Sequence, residues 1–342
     1  MKRQNGVERI TAKIKSNPIV ALALVLATFV VGLSTFTNAA KNLLSIVAEE
    51  SPAQARSELG RLSLDFTPGD FVNSAKAGDL NAVKLFLKAG MDPNATTPGD
   101  AFGTDGEGWT AIMAAALPGH TKIVAALLDA GADAKKSDYN FTALSLAAAG
   151  GHADIVGMLL DKGFSVEAIN RAFVDAVAKR QMEAARLLAG RGVDLNTAGP
   201  SALVNLLNDE SVNGEDSNGK DIADTVRIVL DLGVDPNGRD ANGWTPLLAA
   251  AYGKYPTALR FLLERGADIN IQCECKGSGY GGATALILAS RNGGVQSVKA
   301  LLEKGADVNR KDEKGETALK VATTDSRDTS IIQMLKIAKA EM

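Results

Sequence analysis

The amino-acid sequence predicts an all-α protein, in which about eight helix-turn-helix repeats stack as a solenoid after one N-terminal transmembrane helix. Three observations support this fold class. Similar helical segments recur at intervals of 32 or 33 residues over most of the chain. A long run without charged residues lies near the N-terminus. Aromatic residues make up only 5% of the chain, which is typical of closely packed small helices and not of a β-sandwich.

The uncharged run extends from residue 16 to residue 40, and its most apolar part is Ile19–Phe36. A helix of that length reaches about 37 Å, more than the roughly 30 Å of a bilayer's hydrocarbon core. Residues 1–15 carry a formal charge of +4, whereas residues 41–60 carry −1. Because Lys and Arg are retained on the cytoplasmic side, we expect a cytoplasmic N-terminus and repeats that are periplasmic or otherwise extracytoplasmic.

The predicted organisation is a basic cytoplasmic tail at 1–16, a transmembrane anchor at 17–40, a juxtamembrane helical linker at 41–65 and a repeat domain at 66–342. Two other interpretations remain open. Thr37 and Ala39 are small residues suited to signal cleavage, which would release a secreted chain, although the apolar region exceeds the usual length of about 7–15 residues. The second is an anchor whose repeats face the cytoplasm.

The composition excludes several classes of function. The chain has a formal charge of −3, so the residues after position 15 carry −7, with no Lys/Arg block of the kind that binds nucleic acid. Two cysteines do not amount to a disulfide framework. Neither a phosphate-binding loop nor a Ser-His-Asp arrangement can be assembled from the sequence. We therefore expect no enzyme, no cofactor, no metal and no small-molecule substrate.

The recurring segment has a Gly two residues before a Thr, replaced by Asn at position 140, and small and aliphatic residues follow the Thr. Copies lie at 108–116, 140–148, 243–251, 282–290 and 315–323. The Thr hydroxyl can cap the helix that starts after it, and the Gly suits a turn with positive φ. A second helix follows, with a Leu-Leu pair expected to fill the core and a Gly that ends the helix. Because no repeat buries its apolar face alone, we expect each to stack on its neighbours.

A 33-residue period with Thr-Pro-Leu at 245–247 and Gly-Ala-Asp at 131–133, 266–268 and 305–307 resembles the ankyrin repeat. The resemblance covers about residues 66–340. It implies a solenoid of helix pairs with β-turn fingers, which binds other proteins through its concave face and fingers. Eight repeats are predicted, beginning near Pro68, Asp105, Ser137, Ile169, Gly199, Asp240, Ile271 and Asp312. Insertions interrupt the pattern at 96–104, 209–221 and 272–281.

The resemblance also implies which positions contact a partner: the two after the opening Asp, the one before Thr and the two before the Gly-His turn. The residues predicted to bind a protein partner are Trp109, Tyr139, Phe141, Asn242, Trp244, Tyr252, Arg291 and Asn292. Trp, Tyr and Arg dominate binding hot spots. The alternative is that each aromatic ring packs on its own finger or on a neighbouring one.

The histidines and cysteines have structural interpretations. His120 and His152 occupy equivalent Gly-His turns, where ankyrin repeats carry histidine for structural reasons. Cys273 and Cys275 lie in an insertion, and residues two apart in an extended segment have Cα atoms about 6.5–7 Å apart, near the limit for a disulfide. Two incidental thiols, away from the Leu-Leu core, are therefore favoured over a strained reactive pair or an inter-chain pairing.

The sequence thus predicts a membrane-tethered protein–protein interaction scaffold, held through residues 17–40, with a protein partner of unknown identity. Residues 17–44 also resemble the N-terminal anchor of unrelated bacterial proteins. One alternative is a redox or stress-protective periplasmic factor that uses Cys273 and Cys275. Another is a secreted effector released by signal cleavage.

Overall fold

The computed structural model describes residues 51–97, 108–138, 141–208, 219–275 and 277–340. Its helices are α1 (Pro52–Arg61), α2 (Pro68–Ala77), α3 (Leu80–Lys88), α4 (Ala111–Ala116), α5 (Thr121–Asp129), α6 (Ala143–Gly150), α7 (Ala153–Leu160), α8 (Val166–Ala178), α9 (Met182–Ala189), α10 (Leu195–Leu207), α11 (Gly219–Asp231), α12 (Pro246–Tyr252), α13 (Pro256–Glu264), α14 (Ala285–Arg291), α15 (Val295–Glu303), α16 (Ala318–Val321) and α17 (Thr329–Ala340), with a π-helical turn at Ala322–Ser326. Strands β1 (Ser137–Asp138) and β2 (Phe141–Thr142) form an antiparallel pair. Within these ranges no helix combines the length and apolar character needed to cross a bilayer. The predicted tail and anchor, residues 1–16 and 17–40, lie outside them.

The described residues fall into two compact parts. The first comprises residues 51–71 and 81–92 and includes α1, which lies within the predicted helical linker. Its core is aromatic, because the ring of Phe86 packs against Phe66 and Phe71 with centroid distances of 6.2 and 5.5 Å. These three rings therefore contribute a large apolar area to this part.

The second part comprises residues 72–80 and the described residues of 93–340, and it consists mainly of stacked helix pairs. The first helix of each pair packs on the first helix of the next, in the order α4, α6, α8, α10, α12, α14 and α16. Second helices follow one another in the same way along α5, α7 and α9, and along α11, α13, α15 and α17. All six residues of Ala111–Ala116 are buried, as expected for a short helix enclosed by neighbours on several sides. The mostly helical, repeated architecture predicted from the sequence is confirmed.

Threonine caps define where five of the first helices begin. Each threonine hydroxyl accepts a hydrogen bond from the backbone N–H three residues later, at 3.1–3.4 Å. The capping residues are Thr110, Thr142, Thr245, Thr284 and Thr317. The predicted role of the recurring Thr is thus confirmed.

The fourth and fifth repeats lack this Thr, and their first helices are longer. The side chains of Ser165 and Asp194 cap α8 and α10, each of which has 13 residues. Both helices therefore begin before the predicted starts at Ile169 and Gly199. These caps stand four and five residues before the predicted starts, and the two helices are at least five residues longer than the threonine-capped ones.

The second insertion is shorter than predicted. Helix α11 begins at Gly219, so the last residues of the predicted 209–221 loop are helical, while 209–218 lie outside the described residues. Ile222 and Val226 are buried one helical turn apart. Their burial accounts for the early start of this helix.

The Leu-Leu pairs do not all fill the core as predicted. In the pairs at 127–128, 262–263 and 301–302 the first leucine is fully buried and the second is half-buried. With 3.6 residues per turn, adjacent side chains of a helix point in different directions, so only one of them faces the middle of the stack.

Histidine fastens adjacent repeats to each other. The Nε2 atoms of His120 and His152 lie 3.1 and 3.0 Å from a backbone carbonyl oxygen of the preceding repeat. Each ring also lies on a turn at Gly78 or Gly119, where a Cβ atom would overlap the imidazole. Gln181 packs in the same way on the next glycine. The predicted structural role of both histidines is confirmed.

Candidate partner-binding surface

The finger of the sixth repeat is built around one aspartate. The Oδ1 atom of Asp240 accepts hydrogen bonds from the backbone N–H groups of Asn242 (2.9 Å) and Trp244 (2.8 Å). The N–H of Asp240 donates in turn to the carbonyl of Trp244, at 2.9 Å. Asp312 builds the finger of the last repeat through the equivalent side-chain contacts, at 3.0 and 2.8 Å. Hydrogen bonds between one Asp side chain and the backbone therefore hold each turn, and no large side chain takes part in them.

A groove with a volume of about 1330 Å³ runs along the loops of the last three repeats. Its walls are residues 239–244, parts of 272–282 and residues 311–313, with Val204, Asn205 and Asn208 at the end of α10. Asn242 and Glu313, which both line the groove, are exposed. Most of the surface that lines the groove is polar.

Backbone hydrogen bonds connect the loops that form this groove. The N–H of Glu274 donates to the carbonyl oxygen of Gly243 (3.3 Å), and the N–H of Glu313 donates to that of Gly281 (3.0 Å). Within the middle loop, Gly282 donates to Cys273 at 2.8 Å. The three loops therefore form one hydrogen-bonded series, so a shift of the middle loop affects both neighbours.

An aromatic cluster, Trp244–Tyr252–Tyr280, lies where the sixth and seventh repeats meet. Its ring centroids are 5.5–5.7 Å apart, and all three pairs have edge-to-face geometry. All three residues are half-buried. Asn292 extends the cluster by donating its Nδ2 to the carbonyl of Tyr252, at 3.1 Å. Edge-to-face pairs stabilise such a cluster by about 0.5–1.5 kcal/mol each beyond burial.

Arg291 makes its contacts inside the chain. Its guanidinium pairs with Asp325 (3.0 Å), Asp312 (3.4 Å) and Glu316 (3.5 Å), and it lies 5.7 Å from the ring centroid of Tyr280. Only 13% of the side chain is exposed, and the carboxylate of Asp312 is 1% exposed. Removal of Arg291 would leave the buried carboxylate of Asp312 without its positively charged partner, which is destabilising. Arg291 therefore has a structural role at this surface.

Trp109 and Phe141 belong to the second and third repeats. The N–H of Trp109 donates to the Thr97 hydroxyl (3.2 Å), and its ring is half-buried. Its indole Nε1 is buried without a hydrogen-bond partner among the described residues. Phe141 is half-buried in β2, opposite Asp138. Tyr139 lies outside the described residues, so its predicted role stays a prediction.

The predicted contact residues therefore separate into groups. Trp244, Tyr252, Arg291 and Asn292 come together around the aromatic cluster, and Asn242 lies on the groove wall next to it. The sequence prediction missed Tyr280, because the 272–281 insertion obscures where the seventh repeat begins. Other repeats have their opening Asp five residues before the Thr, and Gly279 has that position relative to Thr284. Tyr280 therefore follows the position of the opening Asp and is at one of the variable contact positions.

Arg239 was also missed, although it connects two loops. Its Nη1 donates to the carbonyl of Gly243 and its Nη2 to that of Gln272, both at 3.0 Å, while its Nε pairs with Glu274 at 3.2 Å. It precedes the opening Asp of its repeat, a position that the contact pattern does not include.

The favoured interpretation of Cys273 and Cys275 as incidental thiols away from the core is wrong. The two residues are 3% and 2% exposed, and the structure joins them in a disulfide with Cα atoms 5.2 Å apart. The insertion folds back on itself, with the N–H of Cys273 donating to the carbonyl of Ala283 at 2.9 Å. This turn buries both sulfur atoms beneath the neighbouring finger.

Comparison with protein families agrees with the repeat architecture. The sequence model described as ankyrin repeats, in three copies, matches residues 71–170, 173–273 and 272–341. Together these matches cover most of the chain, including every loop that lines the groove.

Individual relatives match over shorter stretches. Mouse protein phosphatase 1 regulatory subunit 27 is 32% identical over 97 residues, which are 28% of this chain and 58% of the relative. The putative ankyrin repeat protein YahD of Escherichia coli is 37% identical over 78 residues, 23% of this chain and 35% of the relative. An ankyrin repeat-containing protein of Schizosaccharomyces pombe is 46% identical over 56 residues, 16% of this chain and 26% of the relative. The matched stretches thus span between about a quarter and three fifths of these relatives.

Proposed function

Since this chain belongs to the ankyrin repeat family, we propose that it is a non-catalytic scaffold that binds another protein along the groove of its last three repeats. The observation that carries the proposal is the groove itself, which is lined by exposed polar side chains and bordered by a half-buried aromatic cluster. Protein interfaces combine enriched aromatic residues with polar, solvent-accessible ones, and both kinds of residue adjoin each other at this groove. A relative described as a phosphatase regulatory subunit supports a role in binding.

The introduction of positive charge on the groove wall tests this proposal. The full chain is immobilised and captured proteins are identified by mass spectrometry, with Asn242→Lys and Glu313→Lys compared with the wild type. Both residues are exposed, so these changes should alter stability by less than about 0.5 kcal/mol. We expect the specific partner to be depleted at least about tenfold, which corresponds to 1.4 kcal/mol of binding free energy.

The matched control is Glu183→Lys, a charge reversal on α9 that does not line the groove. It should capture the partner as the wild type does. Equal capture by the wild type and both groove variants, at unchanged thermal stability, would refute the groove as the binding surface.

We propose further that residues 17–40 tether the scaffold to a membrane with the repeats outside the cytoplasm. The uncharged run and the +4 charge of residues 1–15 support this. The chain should then resist carbonate extraction, and an export-dependent reporter fused after Met342 should be active. Full-length chain in the soluble fraction would refute the tether, and a mature mass starting near Ala40 would favour the secreted alternative.

A further inference from the structure

The only two cysteines of the chain form a buried disulfide in the loop between the sixth and seventh repeats. We propose that this Cys273–Cys275 bond is a reversible redox switch, which holds loop 272–282 against the finger 240–244 and which a small dithiol opens. The inference concerns the conformation of this loop and does not rest on the proposed partner.

The chain bends at Glu274, between the two bonded cysteines. In an extended segment, Cα atoms two residues apart are separated by about 6.5–7 Å, whereas those of Cys273 and Cys275 are 5.2 Å apart. The bend brings the N–H of Glu274 to the carbonyl oxygen of Gly243, at 3.3 Å. Cleavage of the bond removes the covalent restraint on this distance, so that only the hydrogen bonds of the loop then oppose extension of the segment.

The finger fits closely against this bend. Gly243 has a φ of +81°, and a Cβ atom on it would lie 2.7 Å from the carbonyl carbon of Glu274. The ring of Trp244, the next residue, packs at 5.7 Å on Tyr280 from the same loop. Because of these contacts, an extended loop would displace the indole from its cluster.

The sulfur atoms of the bond lie close to the finger. The Sγ atoms of Cys273 and Cys275 are 3.7 and 3.9 Å from the carbonyl oxygen of Gly243. Cys273 is also one of the residues that line the groove. Breaking the bond therefore changes the loop directly beside the finger 240–244.

The reaction is a thiol–disulfide exchange. A thiolate of the dithiol attacks one cysteine sulfur, the Cys273–Cys275 bond breaks, and the other cysteine leaves as a thiolate. The second thiol of the reductant then attacks the mixed disulfide and releases the first cysteine. Two electrons pass from the dithiol to the pair, both cysteines take up protons, and the reductant becomes a disulfide. A disulfide oxidant such as oxidised glutathione reverses the exchange.

The test uses the purified full chain carrying Trp109→Phe, which leaves Trp244 as the only tryptophan. After equilibration with oxidised glutathione, iodoacetamide should add to neither cysteine. After dithiothreitol it should add to both, as intact mass reports. Reduction should also shift the Trp244 emission to longer wavelength and speed tryptic cleavage after Lys276 by about fivefold or more, because a less protected loop opens more often.

The control is the same protein with Cys273→Ser and Cys275→Ser, whose emission and cleavage rate should not respond to dithiothreitol. Oxidised glutathione should restore the original behaviour of the parent protein only. Two alkylated cysteines in the oxidised sample would overturn the proposal. Full reduction with unchanged emission and cleavage would overturn it as well, since the bond would then be an inert crosslink.

Discussion

The backbone N–H of Glu274 donates to the carbonyl oxygen of Gly243 at 3.3 Å, although the two residues belong to loops of different repeats. The same carbonyl accepts from the Nη1 atom of Arg239, at 3.0 Å. One backbone oxygen therefore receives donors from two loops. Because Gly243 also has a φ of +81°, we expect the groove to be sensitive to substitution at this position.

Gly243→Ala should be strongly destabilising. The left-handed backbone costs an L-residue about 1–2 kcal/mol, and the overlap of the new Cβ with Glu274 adds about 1–3 kcal/mol. Gly315→Ala is the matched control, because Gly315 has a similar φ of +75° but a Cβ atom there would meet no described atom within 4 Å. Urea unfolding should show the larger loss for Gly243→Ala, and equal losses would contradict the close fit.

Thr245→Ala should lower the free energy of unfolding by about 1 kcal/mol, the usual cost of losing an N-cap. The hydroxyl of Thr245 is buried and accepts from the N–H of Leu248 at 3.4 Å. Thr245→Ser keeps that acceptor and should recover most of the loss. Thermal unfolding of the two variants checks this, and a Ser variant as unstable as the Ala variant would assign the effect to the lost methyl group.

Leu262→Ala should cost about 2–5 kcal/mol, because Leu262 is fully buried in α13 and its loss leaves a cavity. Leu263→Ala removes the same atoms from the adjacent, half-buried position and should cost less than half as much. Chemical denaturation of both variants measures the difference. Similar losses would mean that both leucines contribute equally to the core.

Asp175→Asn should gain stability relative to the wild type as the pH rises from about 3 to 7. Burial raises the pKa of the Asp175 carboxyl above its ordinary value, and Arg171, 3.5 Å away, opposes this only in part. With a folded-state pKa above the unfolded one, the stability that this carboxyl contributes is complete below the unfolded-state pKa. It is lost as the pH rises through the folded-state pKa.

Asparagine does not ionise, so the Asp175→Asn variant does not lose stability at this position as the pH rises. The relative gain should stay below about 1 kcal/mol, since a quarter of the Asp175 side chain is exposed and the Arg171 pair is lost. Denaturation curves at several pH values measure it. A relative stability that falls with rising pH would contradict the direction of the pKa shift.

The features that depend on local sequence were predictable. Thr245 and Thr284 cap their helices because a helix cap needs only a hydroxyl three residues before an unpaired backbone N–H. This requirement does not depend on where the helix lies in the fold. The histidines were assigned correctly because each stands at a fixed distance from its glycine turn. Within a regular repeat, the position of a residue and the length of the repeat together determine which residues of the adjacent repeat it contacts.

The features that depend on the insertions were not predictable. Tyr280 joins the aromatic cluster, and Cys273 meets Cys275, only because the 272–281 insertion folds back onto the preceding finger. No periodic signal encodes that turn. Arg291 was predicted at a contact position, yet carboxylates 21–34 residues further along the chain surround its guanidinium. Their convergence is a property of the tertiary structure.

The packing of His152 on the turn at Gly119 has a consequence for how such a chain evolves and how it can be re-engineered. Its repeats are not freely exchangeable modules, because the turns at Gly78, Gly119 and Gly151 each pack closely against a side chain of the next repeat. The sixth repeat carries Tyr255 at the helix start that His152 occupies in the third. Shuffling it into third place would press a longer phenol onto Gly119, so duplications and grafts must carry a turn together with the repeat that follows it.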